Sequence, residues 1–234
     1  NPRASLVAMK LFGYSEVRKP RRAGWIKPPG PVATGLKIGL LGGSFNPAHS
    51  GHVHISEVAL KRLGLDYVWW LVSPQNPLKP TIGMAALGRR VEWCEACVHD
   101  PRIRVMDLEQ QLGTRYTIDT LNALKRRFPG VRFVWLMGSD NLDSFRHWHR
   151  WPEIFESLPI AVIVRPGSAL AGVRAKAAQR FSAARLSEAD ARNIALAEPP
   201  AFVVVDSRRN PARATDIRAS SDWGGDFVHV MPAC

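Results

Sequence analysis

The chain is poor in cysteine and has no long apolar run, and each shortage excludes a class of protein. Its 234 residues include three cysteines, an odd and small number that does not make a disulfide framework. Cys94 and Cys97 form a CxxC pair in an apparent helix, but no second ligand pair follows at a zinc-site spacing, so we expect buried thiols. No apolar run approaches the roughly 20 residues of a membrane helix, and the N-terminus lacks the apolar core of a signal peptide. We therefore expect a cytoplasmic protein without a membrane partner.

Acidic residues are also scarce, and the excess of positive charge is unevenly placed. The chain has 32 Lys and Arg against 20 Asp and Glu, a net charge of +12. Residues 1–35 carry seven basic side chains and one acidic side chain, a net charge of +6, so half of the excess lies there. Residues 1–34 are rich in Pro, Gly and charge and are predicted to be a disordered tail. The remaining +6 favours small anionic ligands without requiring a polynucleotide, so we expect no nucleic-acid partner.

Beyond the tail, apolar runs of strand length alternate with segments of helical period. The predicted strands are residues 36–42, 67–73, 102–108, 132–138, 160–166 and 202–207. Between them, apolar stripes predict one helix through Ile55, Val58, Ala59 and Leu63 and another through Ile118, Leu121, Leu124 and Phe128. This alternation predicts the α/β class, with a Rossmann-like, doubly wound parallel sheet in a single domain. We place the domain at residues 35–222, followed by a C-terminal tail at 223–234.

The loop after the first predicted strand, GGSFNPAHSGH (residues 42–52), combines features of a phosphate site. Gly42 and Gly43 carry no side chain, which lets main-chain N–H groups approach an anion near a helix N-terminus. His49 and His52 are three residues apart and can donate hydrogen bonds from one side of that helix. His54 falls on the opposite side and is expected to be a surface or packing residue. The alternative interpretation of the string is an ordinary helix start.

This loop resembles the signature of the H-x-G-H nucleotidyltransferase superfamily, and later motifs narrow the resemblance. The motifs SPQNPLK, TRYTIDTL, GSDNLDSFRHWHRWPEI, VRPG and RATDIR follow in the order typical of bacterial nicotinate-nucleotide adenylyltransferases. The similarity extends over about residues 36–220. It implies adenylyl transfer from ATP to nicotinate mononucleotide, with Mg²⁺ as the accompanying ion and pyrophosphate as a product.

The resemblance also implies a role for each matching residue, with no protein-bound metal. The predicted catalytic residues are His49, His52, Lys79 and Arg218. The predicted ATP-binding residues are Gly42, Gly43, Ser44, Phe45, Gly138, Asp140 and Thr215. The predicted nicotinate-nucleotide-binding residues are Tyr116, Thr117, Asp119 and Trp148, of which Trp148 would stack on the pyridine ring. The sequence departs from the family pattern at Arg213 and Ala214, which stand where relatives carry two serines.

Several alternatives remain open on the sequence alone. The acceptor could be nicotinamide mononucleotide, or both mononucleotides, and a less favoured reading is a non-catalytic nucleotide- or RNA-binding module. Trp148 and Trp151 could both be core residues. Thr114 or Thr117 could simply cap a helix, and so could Asp140.

Overall fold

The fold contains six strands and seven α-helices in the part of the chain that the structure describes. The computed structural model describes residues 28–74, 83–164, 176–207 and 234. The strands are β1 (Lys37–Gly43), β2 (Tyr67–Val72), β3 (Ile103–Met106), β4 (Arg132–Gly138), β5 (Ile160–Val164) and β6 (Phe202–Asp206). The helices are α1 (Ser50–Arg62), α2 (Leu87–Cys97), α3 (Leu108–Leu112), α4 (Thr117–Arg127), α5 (Ser139–Phe145), α6 (Trp151–Ser157) and α7 (Lys176–Arg180). Two 3₁₀ helices at Ser182–Ala184 and Glu188–Leu196 precede β6.

The six strands form one parallel sheet, which confirms the predicted fold class. Their order is β3-β2-β1-β4-β5-β6, and every neighbouring pair is parallel. The chain builds outward from β1 to β3 and then returns to add β4 on the other side of β1. Strand order therefore reverses between β1 and β4, which is where sheets of this kind bind ligands, at the carboxyl ends of the strands.

Helices cover both faces of the sheet and bury two apolar clusters against it. Helix α4 packs its predicted stripe of Ile118, Leu121 and Leu124 into one cluster. Helix α1 packs Ile55 and Ala59 into the other. Because successive strand residues point to opposite faces, Leu40 and Leu41 of β1 belong to different clusters. The loops that follow β1 and β4 therefore lie at the carboxyl edge of the sheet, where side chains from either face can meet.

Two predictions need correction. The third strand ends at Met106 rather than at residue 108, because Leu108 already begins helix α3. The expectation of buried thiols is right for Cys94 and wrong for Cys97, which forms a disulfide with Cys234 across a Cα–Cα distance of 5.3 Å. Burial raises the pKa of the Cys94 thiol well above its usual value, so this side chain is neutral at neutral pH.

Some predictions fall outside the described residues, namely those on Lys79, Thr215, Arg218 and most of the two tails. Before β1, Val32 and Leu36 pack against the cluster on the α4 face. Within the described ranges, no helix combines the length and the apolar character needed to cross a membrane.

Candidate active site

The loop between β1 and α1 has an uncommon backbone that places an aromatic ring beneath the histidines. Phe45 has a φ of 46°, in the left-handed region that bulky residues rarely adopt. Its side chain is 2% exposed and stacks on Trp70 of β2 with ring centroids 5.0 Å apart. The other neighbour of the Phe45 ring is the His52 imidazole, at 4.6 Å. Such backbone strain persists only where surrounding packing enforces it, and it is common at functional sites.

His49 and His52 lie together, as predicted, and each caps the start of helix α1. The ring centroids are 3.8 Å apart. His49 is the N-cap residue, and its Nδ1 accepts a hydrogen bond from the Gly51 N–H at 3.1 Å. In return, His52 Nδ1 accepts from the His49 N–H at 3.3 Å. The helix-start interpretation is therefore correct about the geometry, but it does not exclude a role in binding.

Capping fixes the tautomer of the two imidazoles. A ring that accepts a hydrogen bond at Nδ1 carries its proton on Nε2 in the neutral form. The Nε2–H group of each ring is then its donor, and donors of this kind suit phosphate oxygens. The backbone of His52 is held in place because its carbonyl accepts a hydrogen bond from Ser56 Oγ at 2.9 Å. Ser56 Oγ in turn accepts a hydrogen bond from Trp70 Nε1 at 2.7 Å.

Gly42 and Gly43 are the last two residues of β1, and the structure gives each a packing role. A Cβ at Gly42 would lie 2.4 Å from Cη2 of Trp135 in β4, far inside contact distance. A Cβ at Gly43 would lie 3.3 Å from the Phe45 ring, on the opposite face of the sheet. From the sequence, both glycines are predicted to let an anion approach the main chain. That role stays a prediction. The structure adds a second role, because each glycine leaves room for an aromatic ring.

Trp148 follows α5 and rests on the aromatic ring that Gly42 accommodates. Its indole meets Trp135 edge to face, with centroids 6.1 Å apart and planes at 82°. It also contacts Phe145 at 5.0 Å and remains only partly buried. Trp151, which contacts Phe145, Phe155 and Phe181, is also partly buried against the same cluster. An indole supported from below and open to one side can stack on a planar ring.

The start of helix α4 lies beside the segment that carries Trp148. Tyr116 is the N-cap residue, and its ring stacks on His149 with centroids 4.1 Å apart. No side chain makes the cap hydrogen bond, so the capping alternative for Thr114 and Thr117 is wrong. Thr114 Oγ1 instead bonds to Thr120 Oγ1 at 2.7 Å. The first N–H groups of a helix have no hydrogen-bond partner within the helix, so those at the start of α4 can bind an anion.

Asp119, whose role in binding the nicotinate nucleotide stays a prediction, makes an ion pair with Arg150. The Arg150 Nη1 to Asp119 Oδ1 distance is 3.8 Å, and both side chains are about half exposed. Arg150 has a φ of 52° and also donates from Nε to Glu153 Oε1 at 2.7 Å, which lowers the pKa of the Glu153 carboxyl. Two contacts therefore join the start of helix α4 to residues 146–150, the Trp148 segment. His149 stacks on Tyr116, and Arg150 forms an ion pair with Asp119.

The junction of β4 and α5 carries Gly138 and Asp140, two of the predicted ATP-binding residues. Gly138 is both the last residue of β4 and the N-cap of α5, with no side-chain cap hydrogen bond. Asp140 lies at the second position of that helix and is exposed at its surface, so the proposal that it is the cap residue is wrong. Asp140 follows the carboxyl end of β4, the strand next to β1.

Two polar side chains that the sequence argument missed hold the loops together. Arg90 of α2 is 1% exposed and donates to the backbone carbonyls of Ser44 and Ser73. Asn46, which is 7% exposed, donates from Nδ2 to the Gly83 carbonyl at 2.9 Å. The Asn-Pro dipeptide indicated a turn, but nothing in the helical segment around Arg90 distinguished this arginine from its exposed neighbour.

Glu109 of α3 is a buried carboxyl at the same edge of the sheet. It is 7% exposed, and burial raises its pKa, while a hydrogen bond from the Ser73 side chain opposes the rise. Among the described residues, no group of three or more His, Cys, Asp or Glu could hold a metal ion.

Comparison with known proteins identifies the family. A family model described as cytidylyltransferase-like matches residues 40–220. The chain is 52% identical over 192 residues to a probable nicotinate-nucleotide adenylyltransferase of Parvibaculum lavamentivorans, an alignment that covers 82% of this chain and 96% of the relative. The chain belongs to the nicotinate-nucleotide adenylyltransferase family. A second member of the family, from Agrobacterium fabrum, is 49% identical over 183 residues, covering 78% of this chain and 98% of the relative.

A solved structure of an adenylyltransferase has the same fold. The nicotinic acid mononucleotide adenylyltransferase of Plasmodium falciparum, complexed with NaAD, matches with a TM-score of 0.59 at 15% identity. The match covers 79% of this chain and 83% of that one. At this identity the likeness bears on the fold alone.

Proposed function

We propose that the protein transfers the adenylyl group of ATP to nicotinate mononucleotide, giving nicotinate adenine dinucleotide and pyrophosphate. The observation that carries this proposal is the reciprocal capping of α1 by His49 and His52. It places two imidazole donors together where the strand order reverses. The identity of about 50% to relatives named for this activity supports the choice of substrates.

In the proposed reaction, a phosphate oxygen of the mononucleotide attacks the α-phosphorus of ATP. The new bond joins that oxygen to the α-phosphorus, and the bond from the α-phosphorus to the bridging oxygen breaks, so that pyrophosphate leaves with the electron pair. The attacking phosphate is ionised at neutral pH, since its second pKa is about 6. No residue therefore needs to act as a nucleophile or to remove a proton.

The chain contributes alignment of the two nucleotides and donors for the charge that develops. The Nε2–H groups of His49 and His52 donate to phosphate oxygens, and preorganised donors of this kind are often the largest contribution to catalysis. Lys79 and Arg218 are proposed to neutralise phosphate charge, as the family resemblance implies. Mg²⁺ is proposed to arrive with ATP and to reduce the repulsion between the two anionic substrates.

The acceptor is proposed to occupy the other face of the same edge. Trp148 offers an indole face to the pyridine ring, and the first amides of α4, next to Tyr116 and Thr117, can receive the nicotinate carboxylate. Asp119 contributes through its ion pair with Arg150, which keeps α4 beside the Trp148 segment. Asp140 is proposed to accept hydrogen bonds from the ribose of ATP.

Pyrophosphate release tests the proposal and separates the two candidate acceptors. The purified protein is given ATP and Mg²⁺ with either nicotinate or nicotinamide mononucleotide, and pyrophosphate and the dinucleotide product are both measured. We expect a kcat/KM for the acid that exceeds the value for the amide, because only the acid carries a carboxylate for the α4 amides. Equal rates would contradict the assigned carboxylate site, and no dinucleotide with either substrate would refute the function.

A further inference from the structure

Arg90 is a buried cation that the proposed reaction does not use, and it lies directly against the loop that carries the histidines. Its guanidinium is 1% exposed. The four hydrogen bonds that it donates run from Nε to the Ala85 carbonyl at 2.9 Å, from Nη1 to the Ser44 and Ser73 carbonyls at 2.7 Å each, and from Nη2 to the Pro74 carbonyl at 2.8 Å. All four acceptors are neutral backbone oxygens.

These acceptors belong to three separate segments of the chain. Ser44 begins the loop after β1, Ser73 and Pro74 follow β2, and Ala85 precedes α2. The guanidinium is planar and presents its donors in a rigid fork, so one side chain fixes the separation of all three segments. Without it, each of these buried or partly buried carbonyls would lose a donor, which is unfavourable for every segment.

Asn46 adds a second connection between the same loop and the entry to α2. Its Nδ2 donates to the Gly83 carbonyl at 2.9 Å, and its Oδ1 accepts from the Ala85 N–H at 3.1 Å. The loop is therefore bonded on both sides of Phe45, by Arg90 at Ser44 and by Asn46 one residue after the strained position. This explains how the backbone of Phe45 is kept in its left-handed conformation while its ring stays beneath His52.

We propose that Arg90 is a positioning residue for adenylyl transfer: it holds residues 44–49 in the geometry that directs His49 and His52 toward the triphosphate. The inference rests on the proposed function, since it assigns Arg90 to that same site. Arg90 acts through backbone carbonyls and through the loop, and it does not contact the substrate itself. Its positive charge, placed against the loop, also favours an anion there. Burial lowers the pKa of the guanidinium, which nevertheless stays protonated at neutral pH.

The test compares two substitutions at this position with a matched control. Arg90→Lys keeps the charge but has three donors on a single nitrogen, so it cannot reproduce the four hydrogen bonds that Arg90 donates from three nitrogens. Arg90→Met keeps much of the volume without any donor. Val203→Ala removes buried volume from β6, in the cluster that also includes residues of α2, and β4 and β5 separate β6 from β1 in the sheet. Each variant is assayed for kcat, for the KM of ATP and of nicotinate mononucleotide, for melting temperature and for amide hydrogen exchange.

We expect Arg90→Lys to lower kcat by on the order of 10- to 100-fold, because displacement of reacting groups by about 1 Å has effects of this size. The KM for nicotinate mononucleotide should change less than about 2-fold, since the acceptor lies on the other face. Amides of residues 44–49 should exchange faster than in the wild type. Val203→Ala should lose melting temperature without losing kcat and without faster exchange in the loop.

A kcat of Arg90→Lys equal to that of the wild type would overturn the proposal, and so would an equal loss of kcat in Val203→Ala at matched melting temperature. If Arg90→Met does not fold, Arg90→Lys decides alone. A wild-type protein that forms no dinucleotide would instead refute the proposed function. A wild-type protein that is active beside an unaffected Arg90→Lys variant would refute only the role of Arg90.

Discussion

Substitution of Gly42 by alanine separates a packing role of this glycine from a direct role in binding ATP. The added Cβ would lie 2.4 Å from Cη2 of Trp135. Carbon atoms in contact are about 3.5 to 4.0 Å apart, so the Trp135 ring or the backbone of β1 must move by about 1 Å. Trp135 is 2% exposed and has little room to move without displacing its neighbours.

The expected cost follows from the energetics of overpacking. Extra methyl groups in a well-packed core cost about 1 to 3 kcal/mol. For a domain of this size, each kcal/mol lowers the melting temperature by about 2 to 4 °C, so a decrease of about 2 to 12 °C is expected. Because Trp135 supports Trp148, the KM for nicotinate mononucleotide should rise by on the order of 10-fold, and the KM for ATP should rise less.

The assay measures melting temperature and initial rates with each substrate varied in turn. Gly88→Ala is the matched control, since a Cβ at this exposed position of α2 meets nothing within 4 Å. Alanine there should leave the rates unchanged and raise stability by about 0.4 to 1 kcal/mol. An unchanged melting temperature in Gly42→Ala would refute the packing argument. A rise confined to the KM for ATP would favour the anion cradle instead.

Three further predictions concern the acceptor platform, the buried carboxyl and the tail. Trp148→Ala should raise the KM for nicotinate mononucleotide by about 10-fold, because about 1 to 1.5 kcal/mol of ring contact is lost. Trp148→Phe should retain most of the affinity. Equal KM values in the two variants and the wild type would exclude stacking at this residue. Burial raises the pKa of Glu109, so its contribution to stability is complete below the unfolded-state pKa of about 4.3 and is lost as the pH rises through the folded-state pKa. Glu109→Gln should therefore have the same melting temperature as the wild type near about pH 4 and a higher melting temperature near about pH 8. A difference in melting temperature that does not grow with pH would contradict this sign. Removal of residues 1–27, which stops short of Val32, should preserve turnover, whereas a loss of salt-sensitive polynucleotide binding would support the rival binding module.

The fold was largely predictable because its signals are local. Six apolar runs and two helical stripes determine the class, and the stripes of α1 and α4 are buried where the periodicity places them. Right-handed crossovers then decide on which face of the sheet each connecting helix lies, but they do not determine the strand order. The ends of the elements were less accurate, as at Met106, because helix α3 begins with residues that also suit a strand.

The residues of the site were predictable from the sequence only where they belong to a recognisable motif. His49 and His52 meet as their spacing indicated, since positions three apart lie on one side of a helix start. Contacts between distant parts of the chain left no local signal. Arg90 has the same sequence context as the exposed Arg89, and the Cys97–Cys234 disulfide joins residues 137 positions apart. The packing of Trp135 on Gly42 depends on the register between β1 and β4, which periodicity does not supply.

The most direct test of the central claim is the single-turnover rate of His52→Ala, measured as dinucleotide formed from ATP and nicotinate mononucleotide. The matched control is His54→Ala, which removes an imidazole from the same helix but one that bonds to Ser207 at the end of β6. The account predicts a loss of about 10²- to 10³-fold for His52→Ala, as expected for one donor to the transition state, and a rate near that of the wild type for His54→Ala. A folded His52→Ala protein that forms the dinucleotide at the wild-type rate would contradict the account.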